Sequence, residues 1–242
     1  MQRYFIEKQI NENELFTIEN NDFHHIKNVM RSKKGDSIIV CNNGVCYYTE
    51  LMELSDKSVL CKPYELISSQ KKDFKVTIAQ ALIRRERFEY MLQKSTELGV
   101  DEITPITTIN SIVKVNPNKL DSKVARWNTI VKEASEQSHR SSLALVNNVL
   151  SLKELKFNDY DIVLVAYEKE VNSNELKKTL SSKLANLLVV IGPEGGFDQK
   201  EIEFLSKFSN VRFVGLGPRI LRSETASSYI LSTISYEYEM IV

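Results

Sequence analysis

Two segments, VVIGPEGGFDQKEI (Val189 to Ile202) and VGLGPRILRSETASS (Val214 to Ser228), each run from an apolar strand-like stretch into a Gly-Pro turn and on into a helical pattern. The chain has eight glycines, and Gly192, Gly195, Gly196, Gly215 and Gly217 all fall inside these two segments. Working outward, FKVTIAQAL, DEITPIT, DIVLVAY, LLVVIG and VRFVGLG read as buried strands. Between them, RERFEYMLQKSTELG carries Phe88, Met91, Leu92 and Leu98 on one helical stripe ended by Gly99, and Leu120, Val124, Trp127, Val131 and Ala134 recur at helical spacing. NELKKTLSSKL, DQKEIEFLSKF and SETASSYILSTISYEY complete the alternation. The fold class expected is α/β, a mostly parallel sheet with helices on both faces. Upstream, DSIIVCNNGVCYYTELMEL and SVLCKPYEL read as short strands around an Asn42-Asn43-Gly44 turn, a small β-domain. The polar stretch ISSQKKD, Ile67 to Asp73, separates the two patterns, which divides the chain into residues 1–72 and 73–242.

Composition narrows the function classes. The chain has 242 residues, 42% hydrophobic and 26% charged, enough for one large core or two modest ones. No apolar run approaches the length of a membrane span, and MQRYFIEKQINENE lacks the form of a signal peptide, so a cytoplasmic protein is expected. Cys41, Cys46 and Cys61 are odd in number with no C-x-x-C spacing, so free thiols are expected in place of a disulfide or a metal site. His24-His25 has no matching Cys or carboxylate cluster and reads as packing or polar contacts; no metal is expected. The 32 basic residues balance the 32 acidic ones, which leaves a nucleic-acid partner to local basic patches.

Ligands of open parallel sheets bind beyond the carboxyl ends of the strands, and both glycine turns sit there, at what read as adjacent strand ends. GPEGGF fits neither G-x-G-x-x-G nor the Walker pattern, and Glu194 would repel a phosphate. A single turn of this kind would mean only a tight connection, with Asp198 capping the next helix and Glu201 completing a box-like cap. Two turns point to a shared ligand, one that tolerates a carboxylate.

GPEGGF followed by LGPRILRSETA resembles the closing motifs of the RsmE family, SPOUT-superfamily methyltransferases. KSTELGVDEITPI (Lys94 to Ile106), Arg126-Trp127, EASEQSHR (Glu133 to Arg140) and FHHIKNVMRSKKGD (Phe23 to Asp36) follow the family's order, so the resemblance spans nearly the whole chain. It implies methylation of a uridine N3 in small-subunit (16S) ribosomal RNA by S-adenosylmethionine. It also implies an N-terminal PUA-like RNA-binding domain, a C-terminal domain with a deep trefoil knot, and a homodimer. The cofactor-binding residues implied are Ile191, Gly192, Pro193, Glu194, Gly195, Gly196, Leu216, Gly217, Ile220 and Leu221. The chain departs from the pattern at Asn110, Ser142 and Ala144, where Arg, Arg and Pro stand, and at Arg84, where Lys stands; these changes thin the charge expected to face RNA and leave the cofactor loops alone.

Methyl transfer to N3 requires loss of the imide proton, and negative charge develops on the ring. Arg222, at the start of the last helix, is the residue expected to stabilise that charge, or else to pair with Glu224 or another carboxylate. Glu224 is the second catalytic candidate, although a Glu in a first helical turn is favourable for ordinary dipole reasons. N3 lies on the Watson-Crick edge, so the target must be single-stranded or flipped out. Lys27, Arg31, Lys33 and Lys34 are the densest basic cluster of the N-terminal part and the first candidates for RNA contact. Arg84, Arg85 and Arg87, cations at an unfavourable helix start, and Arg140 are the others. The rival readings are a related knotted methyltransferase with another RNA target and a noncatalytic RNA-binding or ribosome-assembly protein.

Overall fold

The computed structural model describes residues 1–68, 72–114, 116–170 and 174–240. Ser69, Gln70 and Lys71, within the polar stretch at the expected division, lie outside the described residues. The chain forms two compact units, Met1–Lys71 with Ser135–Leu143, and Lys72–Ala134 with Ala144–Val242.

In the first unit, β1 (Arg3–Phe5), β2 (Phe16–Glu19), β3 (Ser37–Asn42), β4 (Val45–Leu54) and β5 (Ser58–Ile67) form a sheet in the order β1-β3-β4-β5-β2. Alternation sends Ile38 and Val40 into a core with Tyr4, Phe16, Ile18, Phe23, Ile26, Leu51 and Val59, while Ile39 and Cys41 face the other way with Cys46. Two register shifts in the β4–β5 pair bend these ten-residue strands. Between β2 and β3 the structure adds a helical segment to the strands read from the sequence. Residues Asn20–His24 form helix α1, continued by a wider turn over His25–Val29, and this buries Phe23 and Ile26. Tyr4 bonds His25 Nδ1 at 2.9 Å, which accounts for half of the histidine pair without a metal.

Arg3 is buried and donates through Nη1 to the carbonyl oxygens of His139 (2.7 Å) and Arg140 (2.5 Å), which ties the distant 135–143 segment to this unit. The expectation of three free thiols is corrected. Cys41 and Cys46 form a disulfide, and Cys61 is the free, buried cysteine. The cause is the hairpin. Asn43 (φ 47°) and Gly44 (φ 85°) make a two-residue turn with both centres left-handed, which sets Cys41 directly opposite Cys46 at a Cα separation of 4.1 Å. Burial pushes the Cys61 thiol up to about 12, far from the reactive range.

The second unit contains β6 (Lys75–Ala81), α2 (Arg85–Glu97), β7 (Glu102–Thr107), α3 (Leu120–Gln137) as far as Ala134, and the short β8 (Leu145–Val146) and β9 (Leu150–Ser151). Then follow β10 (Ile162–Ala166), α4 (Asn174–Leu180), β11 (Asn186–Ile191), α5 (Gln199–Leu205), β12 (Val211–Val214) and α6 (Ser223–Ser235). The strands run parallel in the order β12-β10-β11-β6-β7-β8, with β9 also on β7. Leu187, Val189 and Ile191 face a layer that includes Phe88, Met91, Trp127 and Ile230, while Leu188 and Val190 face one that includes Phe157 and Leu205. Both faces are therefore covered, as near-continuous apolar strands require.

One expectation about position changes. The two glycine turns leave β11 and β12, which are not neighbours, because β10 lies between them. Sequence order cannot reveal this, since β12 crosses over β10 to the sheet edge.

Candidate functional site

Around the carboxyl ends of β10, β11 and β12 the second unit opens a cavity of about 850 Å³. Nine of the ten expected cofactor positions line it: Ile191, Gly192, Pro193, Glu194, Gly196, Leu216, Gly217, Ile220 and Leu221. Gly195 does not. A side chain there would press on Asn110 at 3.3 Å, outside the cavity. The end of β10 contributes Ala166, Tyr167, Glu168 and Glu170, which sequence reading missed because those residues carry no glycine signal. Their position between the two turns follows only from strand order.

Each turn is shaped by close approach. Gly196 has φ +68°, and a Cβ there would come within 3.0 Å of Glu168 Oε1. At Gly192 a Cβ would meet the Phe197 ring at 3.1 Å, and at Gly215 it would collide with the Glu170 carbonyl. Gly217 takes φ +97° with open space around it, so conformation alone calls for glycine there. Glycine is thus required at Gly192, Gly196 and Gly215 by neighbouring protein atoms, and the turns that result line the cavity.

The first turn is braced from outside. Asp198 caps α5 by accepting from Lys200 N, and Glu201 reaches back to Asp198 N at 2.9 Å, the box expected from spacing. The second Glu201 oxygen accepts from Ile109 N at 2.9 Å, and the Asn110 amide donates to the carbonyl oxygens of Gly195 (3.3 Å) and Gly196 (3.2 Å). The expectation that Asn110 leaves the cofactor loops untouched is corrected, because its side chain holds one of them.

At the second turn, Arg222 lines the cavity and precedes α6 with extended backbone (φ −67°, ψ 153°). Glu224, 8% exposed, meets Arg87 at 3.7 Å through Oε1 instead of Arg222, and its Oε2 is buried with no hydrogen-bond partner among the described residues. Arg87 also meets Glu194 at 3.4 Å, so this arginine of α2 lies in the cavity wall between two carboxylates. Arg85 donates to Glu89, and Arg84 is exposed at the helix start. In the first unit Arg31, Lys33 and Lys34 are exposed, while Lys27 donates to Ser55 O at 2.7 Å and lies 3.6 Å from Asp56. Arg140 donates through Nε to Ser142 O, and Ala144 is buried. Among the described residues there is no group of three or more His, Cys, Asp or Glu able to hold a metal, and no helix long and apolar enough to cross a membrane.

The cavity fits S-adenosylmethionine in size and character. Its volume lies in the small-molecule range, backbone and apolar side chains form much of the wall, and the carboxylates Glu168, Glu170 and Glu194 stand in it beside Arg87, Arg219 and Arg222, a mixed charge that suits a ligand carrying both signs. Comparisons with known proteins agree. An RNA methyltransferase domain model matches residues 70–235, and an RNA methyltransferase PUA domain model matches residues 18–64. The chain is 40% identical over 253 aligned residues to the ribosomal RNA small subunit methyltransferase E of Bacillus subtilis, covering 100% of this chain and 98% of that protein. It superimposes with a TM-score of 0.85 on a Legionella pneumophila structure containing bound SAM, at 26% identity and 96% coverage of each chain. The fold is also that of a ribosomal RNA small subunit methyltransferase E from Neisseria gonorrhoeae bound to S-adenosyl methionine, with TM-score 0.85, 21% identity and full coverage of both chains. A domain model over most of the chain, together with a full-length relative at 40% identity, places this protein in the ribosomal RNA small subunit methyltransferase E family.

Proposed function

We propose that this protein methylates N3 of a uridine in small-subunit (16S) ribosomal RNA, with S-adenosylmethionine as donor. The observation that carries the reading is the convergence of both glycine turns on one cavity with Arg222 at its edge. Residues Ile191 to Gly196, Leu216, Gly217, Ile220 and Leu221 make up the cofactor site, Gly195 acting through its contact with Asn110. Bound there, the cofactor supplies an electrophilic methyl group.

The protein's part is alignment and charge. Arg222 faces the cavity and offers a planar cation to the negative charge that develops on the uracil when N3 loses its proton. The first amides of α6, at Ser223 and Glu224, have no intrahelical acceptor and add to that field. Glu224 is the second catalytic residue; its Oε1 lies 3.7 Å from Arg87 Nε, and its buried Oε2 has no hydrogen-bond partner among the described residues. Residues 1–72 form the PUA-like RNA-binding domain and 73–242 the SPOUT domain, with the knot that the family implies. RNA contacts come from Arg31, Lys33, Lys34, Arg84 and Arg140, with smaller parts for Lys27, Arg85 and Arg87, each beside a carboxylate; Arg140 also donates to Ser142 O. The protein works in the cytoplasm as a homodimer, and the pairing face is the outer side of α6 and the turn after it, where Tyr229 and Tyr236 are 43% and 60% exposed around a shallow hollow. Light scattering on the purified protein should give twice the chain mass.

The decisive experiment incubates the protein with S-adenosylmethionine and small subunits from cells lacking it, then digests the RNA for nucleoside mass spectrometry. New 3-methyluridine is expected. A different methylated nucleoside would favour the related-enzyme reading, and cofactor-independent RNA binding with no product would favour the noncatalytic one.

A further inference from the structure

Alternation along β6 turns Val76, Ile78 and Gln80 to the face packed by α2 and α6. Gln80 therefore occupies a core position at 0% exposure, where an apolar side chain would be the ordinary choice. A buried amide is tolerated when all its groups are paired, and here they are. Nε2 donates to Ser223 Oγ at 2.8 Å and to Ala81 O at 3.0 Å, and Oε1 accepts from Ser227 Oγ at 2.6 Å. Ser223 Oγ in turn donates to Gly192 O at 2.6 Å. The bonds fix each other's direction. Ser227 orients the amide, the amide orients the Ser223 hydroxyl, and that hydroxyl holds the first carbonyl of the glycine turn.

The endpoints of this chain give it functional meaning. Gly192 and Ser223 line the same cavity from different turns, Ser223 directly follows Arg222, and Ile191 is paired with Gln80 in the β6–β11 register. We propose that Gln80 is a positioning residue of the cofactor site, holding the Gly192 turn and the start of α6 at a fixed separation through Ser223. This rests on the cavity being the cofactor site. Gln80 itself does not line the cavity, and neither does Ser227. Gly192 O already accepts from Ser223, which leaves it one further acceptor position toward the cavity.

The test measures S-adenosylmethionine affinity by calorimetry and kcat at saturating cofactor for Gln80→Met, Ser227→Ala, Ser223→Ala and the Gln80→Met/Ser223→Ala double variant. Gln80→Met and Ser223→Ala should each weaken cofactor binding roughly tenfold. Ser227→Ala should weaken it several-fold although it alters no cavity residue. Because the bonds act in series, the double variant should bind no worse than the weaker single variant, and kcat should fall with each as Arg222 loses its placement. A purely structural role predicts lower melting temperatures with unchanged affinity and kcat in the folded protein, and that result overturns the proposal. So does strict additivity in the double variant. If Gln80→Met fails to fold, Ser227→Ala decides alone, and wild-type affinity there ends the idea. Gly196→Val is the control. Wild-type affinity in that variant removes the cavity from cofactor binding altogether, whereas weak binding there with intact binding in the Gln80 and Ser227 variants removes only the role of Gln80.

Discussion

A valine at Gly196 meets two obstacles at once. The backbone has φ +68°, which a β-branched residue resists at a cost of about 1–3 kcal/mol, and its Cβ would come within 3.0 Å of Glu168 Oε1 inside the cavity. Gly196→Val should therefore lower the melting temperature of the second unit modestly and weaken S-adenosylmethionine binding strongly, read by calorimetry beside a thermal melt. Arg222 makes a different demand. It serves charge that exists mainly as the proton leaves N3, so Arg222→Ala should depress kcat by far more than it changes cofactor affinity. Arg222→Lys should recover only part of the loss, since a compact ammonium does not reproduce a planar fork of donors. Equal losses of affinity and kcat in Arg222→Ala would make the residue a support of the turn.

Between elements, the links that mattered are those the linear pattern does not contain. The cap of α5 was legible because Asp198 and Glu201 are three residues apart and cap locally; the second bond of Glu201, to Ile109, joins residues 92 apart and has no local trace. The same division explains the misses. The Asn43-Gly44 turn was legible, but the disulfide it enforces requires the register as well as the turn. Both glycine turns were legible, while β10, which lies between them and supplies Glu168, was not placed, because crossover order is a property of the sheet. Energies should follow the links. Asp198→Ala removes a cap worth about 1 kcal/mol, and Glu201→Ala, losing a cap and a buried bond to the Ile109 loop, should cost about twice that in urea denaturation. Helix α2 is likewise fastened to α3, where Glu89 accepts from Arg126 at 2.7 and 2.9 Å and from Arg85 at 2.8 Å. The Arg126 hydrogen bonds, helped by Arg85, hold its carboxyl at about 2, below the ordinary 4.5. A lowered folded value means that the stabilisation is complete above about 4.5 and is lost as pH falls toward 2. Glu89→Gln should thus narrow the stability loss between those limits, measured by denaturant melts across that range; an unchanged acid profile would leave the pair without net effect at the surface.

For the whole molecule, 32 basic and 32 acidic residues leave no net field to draw RNA in, so any attraction has to come from where the charges are placed. Many are spent internally, and Lys27 illustrates the difference. Its ammonium is bonded to the Ser55 carbonyl and faces Asp56, whereas Arg31, Lys33 and Lys34, a few residues on, are exposed. Neutralising the last three with Gln should raise KM for the ribosomal substrate and reduce the slope of log affinity against log salt by roughly 0.7 to 0.9 for each phosphate no longer neutralised. Lys27→Gln alone should change that slope little, because its charge is largely compensated before RNA arrives. Cofactor affinity should stay constant in all of these variants, since the cavity residues belong to the second unit and the cluster to the first. Filter binding across a salt series, with calorimetry on the same preparations, separates the effects. If the triple variant retains the wild-type slope, the cluster is an ordinary solvated face, and the RNA surface must be sought at Arg84, exposed at the start of α2, and at Arg140.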